Sequence, residues 1–277
     1  MRKKSAVAVF LVVLVLLQAA CVGKQSGSEL RVTFFDVGKG DCILLEKDGA
    51  YLLIDAGYAE TAADVTGFLK ERGVSSLDAM IVTHYDKDHA GGAPAVAQAF
   101  PVKQIYLPGY EGEGQYTALM KTIIEQALPY RQVTEDVSFS LSGVSIEIYA
   151  SDVAYIPAGE KEANDNDVSL VISAKYGEDS YLFAGDLEKE GINAYLAKGR
   201  GSFDVVKMPH HGDKKKNTAD FIAAVSPKIA VITDSAEEPA EDKTLSLLTS
   251  SRVKTYRTAV QGTVTVISTG AGRYRVS

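Results

Sequence analysis

Along most of this chain apolar residues recur with a period of two or of three to four, and each change of period marks a new element. Leu30-Arg31-Val32-Thr33-Phe34 alternates as a half-buried strand does. Cys42-Ile43-Leu44-Leu45-Glu46 and Tyr51-Leu52-Leu53-Ile54 read as two more strands, joined by a hairpin turn at Lys47-Asp48-Gly49. The spacing of Val65, Phe68 and Leu69, with Gly73 at the C-cap, predicts a helix over 61–72. The apolar run 77–82 is the next strand, followed by a small-residue helix from Ala90 to about Phe100, a strand over 102–107 and a helix over 115–128. Strands at 130–133, 137–139 and 144–148 open a second β-rich half. It continues with a buried strand at 181–183, a helix over 187–198, and strands at 203–207, 228–232 and 263–267. Two β-rich halves that each end in helices, with no linker between residues 30 and 277, predict one α/β domain over 30–277.

The N-terminus breaks the pattern. Arg2, Lys3 and Lys4 precede an unbroken apolar run from Ala6 to Leu17, shorter than the roughly 20 residues a membrane-spanning helix needs. Residues 1–20 are expected to be a secretory signal peptide. Cys21, after Ala19 and Ala20, sits as the acylated cysteine of a bacterial lipobox does, although Gln18 replaces the usual aliphatic residue. Lipidation of Cys21, with 21–29 as a polar tether, would make an extracytoplasmic, membrane-anchored lipoprotein; plain secretion is the alternative. Losing Arg2, Lys3 and Lys4 takes the formal charge from −7 to −10, so the chain lacks the basic footprint of a duplex-DNA binder. Cys42 is the only other cysteine, which excludes a disulfide framework and suits a small core residue on a strand.

Candidate chemistry is concentrated in Thr83-His84-Tyr85-Asp86-Lys87-Asp88-His89-Ala90-Gly91-Gly92, where His84, Asp86, Asp88 and His89 fall within six residues. Convergent imidazoles and carboxylates suit a divalent metal, whereas the plain reading is a solvated polar loop. The chain has four histidines in all. The other two are adjacent in Met208-Pro209-His210-His211-Gly212, so the two clusters are expected to meet at one site.

That loop, together with Phe35-Asp36-Val37-Gly38-Lys39-Gly40-Asp41, Leu53-Ile54-Asp55-Ala56-Gly57, Ser169-Leu170-Val171, Ala184-Gly185-Asp186, the His210-His211 pair, Tyr256-Arg257-Thr258 and Gly262-Thr263, resembles the metallo-β-lactamase superfamily. Within it the order is similar to the hydrolase domain of ComEC-type competence proteins. The resemblance implies a four-layer αββα sandwich holding two divalent ions. His84 and Asp86 would serve the first ion, Asp88, His89 and His211 the second, and Asp186 both. Asp88 and His210 would be catalytic, His210 as proton donor or substrate contact, with the two adjacent histidines open to exchange. Asp55 would orient a ligating histidine from behind, while Asp36 and Asp41 flank a glycine loop that turns the chain. Where β-lactamases carry a further histidine, this chain has Asn164-Asp165-Asn166-Asp167. Asn166, Asp165 or Asp167 would supply an oxygen, or the segment is only an Asx-rich turn.

Asp86 in place of the family's second histidine hardens the site towards zinc or manganese. The expected function is phosphodiester hydrolysis, nuclease-like or on phosphorylated wall or lipid groups; the alternatives are a lactone or amide hydrolase and a degenerate surface-binding module. The multi-span channel of the competence branch is not seen, so DNA transport is not expected. Lys214, Lys215 and Lys216 are either a solvated loop or a phosphate contact. Tyr110 and Tyr116 either stack on a base, sugar or choline group or are plain surface tyrosines.

Overall fold

The computed structural model describes residues 28–157 and 164–277; the expected signal peptide, Cys21 and the expected tether as far as residue 27 lie outside the described residues. The first half runs β1 (Leu30–Phe34), β2 (Ile43–Lys47), β3 (Ala50–Ile54), α1 (Ala62–Glu71), β4 (Ala79–Ile81), α2 (Lys87–Ala90), α3 (Ala93–Ala99), β5 (Ile105–Pro108), α4 (Gln115–Glu125) and β6 (Tyr130–Val133). The second runs β7 (Val137–Leu141), β8 (Val144–Tyr149), β9 (Val171–Tyr176), β10 (Asp179–Phe183), α5 (Lys189–Ala197), β11 (Val205–Lys207), α6 (Thr218–Val225), β12 (Ile229–Ile232), α7 (Asp242–Ser250) and β13 (Lys254–Arg257). Two last strands, β14 (Val264–Ser268) and β15 (Tyr274–Val276), close the chain.

The strands form two sheets, in the orders β15-β14-β1-β2-β3-β4-β5-β6 and β13-β12-β11-β10-β9-β8-β7. Alternation along each strand sends its side chains into two different cores. Phe34, Leu45 and Ile81 from one sheet meet Ile146, Tyr181 and Phe183 from the other in a core between the sheets. Leu44, Leu53 and Met80 point the other way, under Leu69, Val96 and Leu119 of α1, α3 and α4. Leu182, Val206 and Ile232 do the same beneath Ile192, Phe221 and Leu248 of α5, α6 and α7. Helix, sheet, sheet, helix is the four-layer order expected, and each fully buried large apolar side chain contributes about 1.5–3 kcal/mol to holding it.

Both sheets change character midway. β3 to β6 are parallel, as are β10 to β13, while the remaining pairs are antiparallel. Parallel strands deliver their following loops to one edge, so the turns after β3, β4, β10, β11 and β12 gather at a shared carboxyl end, where open α/β sheets place their ligands.

Several expectations are corrected. β6 pairs in parallel with β5 (Ile105↔Tyr130), so the second half begins at β7. β14 returns to the first sheet beside β1 (Phe34↔Val264). Val102 makes only an isolated bridge to Leu77. The single small-residue helix is two: α2 already begins at Lys87, and Gly91-Gly92 separate it from α3. A Cβ at Gly92 would collide with the Ala56 carbonyl, which is why the chain needs glycine there. Cys42 is buried but precedes β2 by one residue. No helix among the described residues is long and apolar enough to cross a membrane.

Candidate metal centre

His84, Asp86, Asp88 and His89 follow β4, with the last two on the short α2 rather than in an open loop. Its backbone is tied to the glycine loop: Asp41 N–H donates to Asp88 O at 3.0 Å, and a Cβ at Gly40 would lie 2.7 Å from that oxygen. Asp55 leaves β3 with φ +56°, and His210 and His211 leave β11 with φ +45° and +50°. Left-handed non-glycine residues cost on the order of 1–3 kcal/mol each and persist where surrounding contacts hold them. Here His210 N–H donates to Gly185 O at 3.2 Å and Asp213 N–H to His210 O at 2.9 Å.

These turns bring Asp88, His89, Asp186 and His211 together, with one ligand atom from each lying within 4.8 Å of the others. His89 Nε2 is 3.2 Å from Asp186 Oδ1 and 3.3 Å from His211 Nε2. His211 Nε2 is 3.1 Å from Asp186 Oδ2 and 3.2 Å from Asp88 Oδ2. The His84 ring lies 4.1 Å from that of His89, and its Nε2, 3.7 Å from Asp86 Oδ2, is buried without a hydrogen-bond partner.

Outer contacts assign the tautomers. His89 Nδ1 lies 2.8 Å from Asp55 Oδ2, and an ionised carboxylate can only accept, so Nδ1 carries the proton. Thr83 donates its hydroxyl to the same Asp55 oxygen at 2.7 Å, which leaves Oγ1 to accept from His84 Nδ1 at 3.0 Å. Thr233 likewise donates to Asp41 Oδ1 at 2.6 Å and accepts from His211 Nδ1 at 3.0 Å. All three imidazoles are thereby held by Nδ1 from behind with Nε2 turned towards the interior, the arrangement outer partners give to metal-ligating histidines.

Charge is equally one-sided. Burial would raise the Asp186 carboxyl, but His211, His89 and Lys207 outweigh it and hold it well below the usual range. Burial would likewise raise Asp41, and Lys207 and the two imidazoles bring it down. For His89 and His211 burial would lower the imidazole pKa, yet the surrounding carboxylates, Asp186 first, raise both. Lys207 is fully buried, its Nζ 2.6 Å from Asp41 Oδ2 and 3.1 Å from Asp186 Oδ1, and its pKa is raised despite burial. So much buried negative charge calls for cations.

Beside His84, Asp86 hydrogen-bonds Asp165; burial and then Asp86 raise the Asp165 carboxyl to about 6. Asp165 is thus the member of the Asn-rich segment seen with the His84 group. Asn166 Oδ1 is buried without a partner, and Asp167 Oδ1 accepts from Gly191 N–H at 2.7 Å at the start of α5. His210 stands on the rim, 19 % exposed, its Nε2 3.9 Å from Asp186 Oδ2 and its Nδ1 3.1 Å from Glu188 Oε1. Glu188 also accepts from Lys215 Nζ at 2.6 Å; the nearby His210, first, and Lys215 outweigh burial and hold its carboxyl down to about 2. Within the lysine run, then, Lys215 is already neutralised.

Asp41, Thr83, Thr233, Lys207 and Glu188 are the site residues that sequence reasoning left without a defined role, and Asp165 was one of three candidates for a single oxygen. The sequence places Asp36 and Asp41 together on a glycine loop that turns the chain; Asp36 does so, its Oδ1 accepting from Gly38 N–H at 3.2 Å, but Asp41 is buried behind His211. The Arg257 motif also finds its purpose. Arg257 pairs with fully buried Asp234, the neighbour of Thr233, which accepts from Ala240 N–H at 2.8 Å.

A family model described as the metallo-beta-lactamase superfamily matches residues 35–233. The chain is 26 % identical over 260 residues to ComE operon protein 3 of Bacillus subtilis, covering 86 % of this chain and 33 % of that protein. It is 30 % identical over 209 residues to competence protein ComA of Neisseria gonorrhoeae, covering 74 % and 27 %. The chain therefore spans about a third or less of the length of these competence proteins. Among solved structures, the fold is shared with Tm1679, a metal-dependent hydrolase of the beta-lactamase superfamily (TM-score 0.56, 12 % identity, 82 % of this chain and 95 % of that one). It is shared also with YhfI of Bacillus subtilis (TM-score 0.54, 11 % identity, 83 % and 96 %).

Proposed function

The chain belongs to the metallo-beta-lactamase superfamily, and from that premise we propose that it is a metal-dependent hydrolase acting on phosphodiesters at a two-ion centre. The observation that carries this reading is the set of three buried imidazoles, each with Nδ1 engaged from behind and Nε2 turned inwards, beside buried Asp186. The orphaned His84 Nε2 supports it, since a buried nitrogen lone pair without a donor costs about 1–3 kcal/mol unless something fills the place. His89, His211 and Asp88 would hold one ion, His84 and Asp86 with Asp165 the other, and Asp186 would face both. Divalent ions there would polarise a phosphoryl oxygen and lower the pKa of an attacking water.

The chain's own groups supply the rest. Asp55, directly at His89 and through Thr83 at His84, and Asp41, through Thr233 at His211, keep the imidazoles in one orientation. His210, partly exposed and steadied by Glu188, is placed to give a proton to the departing oxygen. Preference for phosphodiesters over β-lactams rests on the oxygen-rich donors Asp86, Asp88, Asp165 and Asp186. The competence names of the relatives make nucleic acid one candidate substrate; phosphorylated wall or lipid groups are the other. Lipidation of Cys21 would place the enzyme on an extracytoplasmic membrane surface, and retention of a Cys21→Ser protein by carbonate-washed membranes would refute that anchor.

The test is metal analysis of the purified protein together with turnover of bis-p-nitrophenyl phosphate, a lactone and a β-lactam in zinc and in manganese. Two ions per chain and phosphodiesterase activity lost in Asp186→Ala are expected. A fully active Asp186→Ala protein, or β-lactam turnover without phosphodiester turnover, overturns the reading.

A further inference from the structure

A cleft of about 590 Å³ opens directly beside the His84 group, since Asp86 and Asp165 form its inner wall. Its sides are aromatic: Tyr110 stacks on Tyr155 with ring centroids 4.0 Å apart, and Tyr85 meets Tyr110 edge-on at 5.0 Å. Gly112 lets the covering loop close onto Tyr85, because a Cβ there would sit 3.0 Å from that ring. Tyr85 is 6 % exposed and forms a rigid back to this wall. Glu111 and Glu113 stand exposed at the outer lip, and no lysine or arginine is among the described residues that line the cleft.

This composition selects by charge. A nucleic-acid strand running through the cleft would bring its next phosphate against Glu111 and Glu113, whereas a small organic cation would meet tyrosine faces and carboxylates together. Cations placed over aromatic rings gain about 0.5–2 kcal/mol, most when desolvated. Resting on the phosphodiesterase reading, we propose that the cleft receives a quaternary ammonium or protonated amine carried on one side of the scissile phosphodiester, as in choline or ethanolamine esters. Water forms the new bond to phosphorus, the bond to one ester oxygen breaks, and that oxygen leaves as an alcohol with a proton derived from the water.

The experiment compares p-nitrophenyl phosphorylcholine with its neutral isostere, 3,3-dimethylbutyl p-nitrophenyl phosphate, in which carbon replaces nitrogen. The intact protein should favour the cationic ester by about 10-fold in kcat/KM. That ratio should fall towards one in Tyr110→Leu and in the Glu111→Gln/Glu113→Gln double variant, and calorimetry should detect choline binding to the chelator-treated protein. Hydrolysis of glycerophosphocholine or of phosphatidylcholine vesicles supports the proposal either way and identifies a soluble or a lipid source. If bis-p-nitrophenyl phosphate is turned over but the ratio is near one and choline does not bind, the inference is overturned while the phosphodiesterase reading stands. Preference for thymidine 5′-p-nitrophenyl phosphate over the choline ester overturns it as well. If no phosphodiester is cleaved, the functional reading fails instead, and the choline titration still judges the cleft.

Discussion

Replacing Lys207 with methionine removes the buried counter-charge of the centre and little else. Its Nζ lies 2.6 Å from Asp41 Oδ2, 3.1 Å from Asp186 Oδ1 and 3.0 Å from Gly185 O, and all three side chains are sealed from solvent. At an effective dielectric constant of about 20 each ion pair is worth roughly 5–6 kcal/mol. Most of that is offset by the desolvation of the ions, several kcal/mol apiece. Deleting the cation alone leaves two carboxylates buried, and that asymmetry makes the net loss about 3–5 kcal/mol. In a chain of this size about 2–4 °C accompanies each kcal/mol, so the midpoint of thermal unfolding in chelator should drop by about 6–20 °C. The assay is a near-ultraviolet circular dichroism melt, repeated after zinc or manganese is added; the ions restore positive charge next to Asp186, so the deficit should shrink. Should Lys207→Met fold too poorly to melt, Asp41→Asn combined with it removes one of the stranded charges and should recover part of the loss. A Lys207→Met protein melting in chelator within about 2 °C of the parent would refute the idea that this ammonium balances Asp41 and Asp186.

Thr233→Val keeps the shape but breaks the relay from Asp41 to His211, and metal affinity measured by competition with a chelating dye should fall about 10–100-fold. Asp204 accepts from Tyr274 Oη at 2.8 Å and from Ser180 Oγ at 3.2 Å, and pairs with Lys228 at 2.6 Å, tying β15 to the second sheet. Burial would raise its carboxyl, but these partners hold it below the unfolded value. Its contribution is therefore complete above the unfolded pKa of about 4 and is lost as pH falls through the lower folded one. Denaturant titrations should show Asp204→Asn less stable than the parent by roughly 1.5 kcal/mol at pH 7, with the gap closing as pH falls below about 4. Burial, with Asp55 and Asp41 adding to it, pushes the Cys42 thiol far up, so in a Cys21→Ser background an aromatic disulfide reagent should label no thiol until denaturant is added.

The sequence alone determined most strands and helices and the ligand types, while the four-layer order was implied by the family resemblance. A period of two in 30–34 and of three to four in 61–72 follows from which faces must be dry, and that is a local property. His84, Asp86, Asp88 and His89 were visible because so few histidines, spaced so tightly beside carboxylates, have little other use; the convergence of Asp88 and His89 with Asp186 and His211 was implied by the family order. What tertiary structure decided is everything that acts from behind. Thr233 and Asp41 are 192 residues apart, and aspartate, threonine and lysine are too common for any spacing to single them out. Lys207 sits on a strand whose pattern reads simply as buried, and only the closing of two sheets around it shows a charge balancing two carboxylates. Strand pairing has the same limit. β14 resembles any other tail strand until Val264 lies opposite Phe34, because the partner edge of a sheet is created by folding and is written nowhere in the local sequence.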